Sequence, residues 1–166
     1  CDAAPGFEAD LVLAARRQPR IMGHQYQAGT ALAVDFEQQI GNPLAGVLVA
    51  SPANPTGTMM TPDALTALIR ASEDAGIRFI SDEIYHGLHY GDRAVSALEI
   101  TDKAWVINSF SKYFSMTGWR IGWMVVPDDV LRRTQILQQN LFISAPTLSQ
   151  VAAIAALDER DALDDP

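Results

Sequence analysis

Cysteine is almost absent: the single residue, Cys1, cannot close an internal disulfide. Long apolar runs are absent too, and nothing approaches the ~18 residues that a membrane-spanning helix needs. Positive charge is scarce. Twelve Lys and Arg against twenty Asp and Glu leave a formal charge of -8, which argues against the broad basic face required to bind nucleic acid or anionic lipid. Charged residues make up only 19% of the 166 positions and hydrophobic residues 48%, a balance that disordered chains do not have. The opening Cys1-Asp2-Ala3-Ala4-Pro5-Gly6-Phe7 has neither an initiator Met nor a basic-then-apolar leader, so it reads as an internal start. A soluble, cytoplasmic protein is the expectation.

From Ala45 onward, short apolar runs alternate with helical patterns, the signature of a parallel sheet with crossover helices. Gly46–Ala50, Gly76–Ile80 and Trp105–Asn108 are too short for helices and read as buried strands. Between the first two, Thr61 is a good N-cap and Pro62 suits the first helical position. Leu65, Leu68, Ile69 and Ala75 share one face, and Gly76 stops the helix. The result is a right-handed βαβ unit, with all three strand ends on one sheet edge. Arg120–Val126 follows so closely that it should return antiparallel. Asp128 is expected to cap a helix with Val130, Thr134, Leu137 and Leu141 on one side, and another helix is expected over Ser144–Leu157. Before Ala45, Glu8–Arg17 reads as helical, Arg20–Met22 as the start of a strand and Asp35–Ile40 as a helical turn. The fold class is therefore α/β, three-layered, with a mostly parallel sheet.

The residues after each strand carry the chemistry. Ser51-Pro52-Ala53-Asn54-Pro55-Thr56-Gly57 follows the first, Ser81-Asp82-Glu83-Ile84-Tyr85 the second, and Ser109-Phe110-Ser111-Lys112 the third. Open α/β sheets bind ligands outside the carboxyl ends of their strands. An amine, a carboxylate, a phenol, an amide, hydroxyls and a guanidinium gathered there suit pyridoxal phosphate. Lys112 would form the Schiff base, and Asp82 would keep the pyridine nitrogen protonated so that the ring accepts electrons. Tyr85 and Asn54 would donate to the ring oxygen, while Ser109, Ser111 and Arg120 would hold the phosphate.

These motifs resemble the class I/II aminotransferases of the fold-type I pyridoxal-phosphate enzymes. The likeness rests on Asn-Pro-Thr-Gly at 54–57, Asp-Glu-Ile-Tyr at 82–85, Ser-Phe-Ser-Lys at 109–112 and Gly-Trp-Arg-Ile-Gly-Trp at 118–123, in family order. It implies the same roles for Lys112, Asp82, Tyr85, Asn54, Ser109, Ser111 and Arg120, and it implies an aromatic stacked on the cofactor at Phe7. It further implies a homodimer acting on amino-acid and 2-oxo-acid substrates. The single partial domain 1–166 then corresponds to the central large domain. The Gly-rich phosphate turn belongs before Cys1 and the small domain, with its carboxylate-binding arginine, after Pro166.

Other readings are weaker. A C-S β-lyase would use the same scaffold, and a transcription regulator would carry it behind a helix-turn-helix. Ser109-x-x-Lys112 also fits the penicillin-recognising serine enzymes, but the Ser-Asp-Asn and Lys-Thr-Gly elements they need do not occur. His86 and His89 with Asp82 make a poor metal set, and no metal is expected. His86, His89 and His24 read as ordinary loop histidines, and Glu83 as half of a strand-end cap pair.

Overall fold

The computed structural model describes residues 45–163. Phe7, and the elements expected over Glu8–Arg17, Arg20–Met22 and Asp35–Ile40, lie outside the described residues. Strands β1 (Gly46–Ala50), β2 (Arg78–Asp82), β3 (Trp105–Ser109) and β4 (Gly122–Val125) form one sheet in sequence order. β1, β2 and β3 run parallel, and β4 returns antiparallel to β3. The α/β class and the antiparallel fourth strand are as the sequence indicates.

Helix α1 (Pro62–Asp74) shows why its ends were legible. Thr61 accepts the Ala64 N–H through Oγ1 at 3.3 Å, and Pro62 occupies the first turn, where no N–H is needed. At the other end Gly76, with φ +67°, donates to the Glu73 carbonyl and Ile77 donates to that of Ser72. That pair of bonds is a Schellman motif. It also corrects the expected second strand: Gly76 and Ile77 are committed to helix carbonyls, so β2 starts only at Arg78. Ala75 is the exposed C-cap rather than part of the buried face.

Alternation along the strands aims Val47, Val49, Phe79 and Val106 at α1, where Leu65 and Ile69 complete the core. Ala97 and Ala104 close it from the β2–β3 connection. A capping box supports that connection: Ser96 and Glu99 bond each other's backbone, and Arg93 grips Glu99 through both carboxylate oxygens at 2.8 and 2.9 Å. The Arg93 hydrogen bond, followed by the bond from the Ser96 backbone, holds the Glu99 carboxyl down at about 2. The opposite sheet face carries Leu48, which is 59% exposed.

Two further expectations shift for backbone reasons. Arg120 has φ 49° and ψ 54°, a left-handed conformation incompatible with a strand, so β4 begins at Gly122. Helix α2 (Asp128–Phe142) has Pro127 at its N-cap, and Asp128 lies in the first turn beside Asp129, favouring the helix dipole rather than capping it. Helix α3 (Thr147–Asp158) starts after Pro146, because a residue preceding proline is pushed out of the helical region. Val130 and Thr134 face inward on α2, whereas Leu137 and Leu141 are 45% and 62% exposed.

Candidate functional site

Register brings the site together. Ala50 pairs with Asp82, and Asp82 with Ile107, so the loops leaving β1, β2 and β3 emerge on one edge. Both the Ser51-Pro52 and Asn54-Pro55 peptide bonds are cis. Between these prolines and Met60 the loop is closed by hydrogen bonds from Ala53 N to Thr58 O at 3.0 Å and from Gly57 N to Ala53 O at 2.7 Å. This places Asn54 opposite the turn after β2, where its Nδ2 donates to Tyr85 Oη at 3.2 Å. The amide and the phenol, 31 residues apart in sequence, thus meet at one edge of the sheet.

Lys112 sits in a tight turn held by apolar anchors. Phe110 is buried, stacks against Phe114 at 4.8 Å and meets Trp123 edge-on at 5.1 Å. Met116 N donates to the Phe110 carbonyl at 3.1 Å and closes the turn. The half-buried Lys112 then brings Nζ to 5.7 Å from the centre of the Tyr85 ring, within cation–π range. Its neighbour Tyr113 packs on Gly87: a Cβ there would lie 2.4 Å from the Tyr113 ring, at a φ of +91°. Gly87→Ala is therefore expected to cost about 1–3 kcal/mol through overpacking and a strained backbone and to displace Tyr113 and Lys112. Urea unfolding combined with a structure of the variant checks both effects.

Asp82 and Glu83 separate by strand alternation. Asp82 is half-buried on the sheet face opposite α1, and its Oδ1 accepts the Ile84 N–H at 3.2 Å. Glu83 is buried, 3% exposed, and accepts from Ser81 Oγ at 3.0 Å and Ala97 N at 2.8 Å. It is thus a core acceptor and no solvated cap. The sequence reads Glu83 as half of a strand-end cap pair; because β2 extends to Asp82, alternation turns the two acids to opposite sides.

Ser109 and Ser111, both buried, are hydrogen-bonded to each other at 2.9 Å, and the Ser111 N–H donates to Ser109 Oγ at 3.0 Å. Arg120 is exposed and donates to the Thr117 carbonyl at 2.9 Å. Asn54, Tyr85, Met59, Leu88, His89 and neighbouring residues line a cleft of about 470 Å³. His86 is engaged through both ring nitrogens, with the Ser51 carbonyl and with Glu83. Among the described residues, no three His, Cys, Asp or Glu gather to hold a metal.

The carboxyl edge of this mostly parallel α/β sheet gathers an amine, an acid, a phenol and an amide, and that edge is where open α/β sheets bind small molecules. The profile of aminotransferase class I and II matches residues 19–165, and the chain belongs to that family. It is 48% identical over 120 residues to the valine–pyruvate aminotransferase of Mycobacterium tuberculosis, covering 71% of this chain and 31% of that relative. The aspartate aminotransferase of Thermotoga maritima is 36% identical over 115 residues, covering 68% of this chain and 30% of that relative. Among solved structures, a candidate aminotransferase from Silicibacter pomeroyi is 60% identical with a TM-score of 0.73, covering 80% of this chain and 35% of that one. The Thermus thermophilus aspartate aminotransferase with maleate is 30% identical with the same TM-score of 0.73, again covering 80% and 35%. The fold is that of these aminotransferases, and the chain spans about a third of the length of its curated relatives.

Proposed function

We propose that this chain is the central part of the large domain, a single partial domain over residues 1–166, of a cytoplasmic, homodimeric, pyridoxal-phosphate-dependent aminotransferase. That enzyme moves an amino group between an amino acid and a 2-oxo acid. The observation that carries this reading is the Asn54–Tyr85 hydrogen bond at 3.2 Å beside an amine 5.7 Å from the same phenol ring. The donor set fits a phosphorylated pyridine aldehyde: an amine for the aldehyde, an acid for a ring nitrogen, and a phenol and an amide for a ring oxygen. Pyridoxal phosphate, when bound, supplies an aldehyde and a ring that accepts electrons.

The residues do the rest. Lys112 Nζ would hold the cofactor through its aldehyde and, once the substrate amine has taken that place, would serve as the general base for the substrate Cα proton. The Asp82 carboxylate would hold a proton on the ring nitrogen. Tyr85 Oη and Asn54 Nδ2 would donate to the ring oxygen. The hydroxyls of Ser109 and Ser111 and the guanidinium of Arg120 would bind the phosphate through charge-assisted bonds, and the family resemblance assigns Phe7, outside the described residues, to the face of the ring. The named substrates of the relatives differ, valine and pyruvate in one case and aspartate in the other, so the proposal stops at amino acids and 2-oxo acids as a class. The exposed Trp119 and Trp123, at 45% and 40%, support an interface with a second copy.

Asp82→Asn in the complete protein is expected to keep the visible absorbance of the bound cofactor. Turnover should fall by about 10²–10³-fold, the usual loss when one electrostatic contact at developing charge is removed. Spectra and initial rates on the same preparation measure the two quantities, and undiminished turnover would sink the role of Asp82.

A further inference from the structure

The loop leaving β1 and the turn leaving β2 are joined at a second place, behind the Asn54–Tyr85 bond. The His86 ring nitrogen Nε2 lies 2.9 Å from the Ser51 carbonyl oxygen, 35 residues away in sequence. A carbonyl only accepts, so Nε2 carries the proton. The other ring nitrogen, Nδ1, faces Glu83 Oε2 at 3.5 Å. Glu83 does not move to suit the ring: it is 3% exposed and fixed by the Ser81 hydroxyl and the Ala97 N–H. The imidazole is held between a buried acid and a backbone acceptor.

Ser51 is the hub of the loop it begins. Its N–H donates to the Asp82 carbonyl at 3.4 Å, and its Oγ accepts the Met60 N–H at 2.9 Å, which ties the far end of the loop to the near end. Tyr85 and His86 are consecutive residues of one turn, pinned by His86 N donating to the Glu83 carbonyl at 2.9 Å. Whatever fixes the His86 ring against Ser51 therefore also fixes the loop that presents Asn54 relative to the turn that presents Tyr85. Asn54 itself is exposed and has little packing of its own.

We propose that His86, seated between the Ser51 carbonyl and Glu83, is a positioning residue that sets the geometry of the Asn54–Tyr85 pair. The role rests on the reading of that pair as donors to the cofactor ring oxygen. The imidazole acts on the loop through its Nε2–H, which donates to the Ser51 carbonyl.

The test uses the complete protein with His86→Ala and His86→Gln. The glutamine amide nitrogen can reach the position of Nε2 and restore the donor without a charge. In the cofactor-free protein, hydrogen exchange by mass spectrometry over residues 51–60 is expected to speed up about tenfold in His86→Ala, with α1 unchanged. His86→Gln should stay near the original rate. In the holoenzyme, the pH midpoint of the cofactor's visible band is expected to rise by about half a unit or more in His86→Ala, because loosened donors stabilise the ring oxygen less. It should return to the original value in His86→Gln. Equal shifts in both variants would mean that imidazole charge, not the donor, is responsible, and would overturn the proposal. Faster loop exchange with an unmoved midpoint would overturn it too, leaving only a structural tether. A parent protein that takes up no pyridoxal phosphate would instead fail the functional reading, and the positioning role with it.

Discussion

Lys112→Ala in the complete protein is expected to abolish the visible absorbance of the bound cofactor and to lower transamination by about 10⁴-fold, the upper range for losing a general base. The expectation follows from where the turn sets this amine. Phe110, Met116 and the Tyr113–Gly87 contact hold the turn from three sides, and Lys112 Nζ lies 5.7 Å from the Tyr85 ring. A side chain that ends at Cβ leaves no amine for the aldehyde, and the neighbouring hydroxyls of Ser109 and Ser111 are bonded to each other. Borohydride reduction followed by peptide mapping provides the check. One stoichiometric adduct surviving in Lys112→Ala would refute the assignment. Because Asp82→Asn is expected to keep the absorbance while losing turnover, the two variants separate cofactor attachment from the chemistry that follows.

Ile69→Ala is expected to be among the most destabilising single truncations in the core. Ile69 is 0% exposed and is the largest side chain completely buried among the described residues. It packs where α1 meets Phe79 and Val106, so the void would be bounded by strand side chains that cannot collapse into it. Losing three carbons there should cost about 2–5 kcal/mol, a large part of the roughly 5–15 kcal/mol that holds an ordinary domain together. Urea unfolding should show a lower midpoint at an unchanged slope. A midpoint within experimental scatter of the parent would mean that the helix does not seat on the sheet as described.

The site should suffer before the sheet does. β1 and β2 pair over five residues each, whereas the β1 loop and the β2 turn are joined by the side-chain bonds of Asn54 and His86. Partial loosening of α1 is therefore expected to blunt the Asn54–Tyr85 alignment while the parallel ladder persists.

Much was legible in the sequence because the signals are local. Thr61-Pro62 and Gly76 bound α1 through capping and the Schellman motif, which involve only residues within one turn. β1 and β3 were visible as short apolar runs between polar loops, and the three loop motifs named the amine, the acid, the phenol and the amide. Where β2 starts was decided by competition between the helix cap and the sheet for the same N–H groups, and a pattern of apolar residues does not record that competition. The left-handed backbone of Arg120 likewise shortened β4 against its hydrophobic run.

By itself, the sequence determined the α/β class, the order of the elements and the identity of the chemical groups at the sheet edge. The meeting of Asn54 with Tyr85, of His86 with Ser51 and of Lys112 with the Tyr85 ring was decided by tertiary structure. Those partners are far apart along the chain, and their distances depend on strand register and loop closure. The same register turned Glu83 from an expected strand-end cap into a buried acceptor and gave His86, an unremarkable loop histidine in the sequence, two fixed partners.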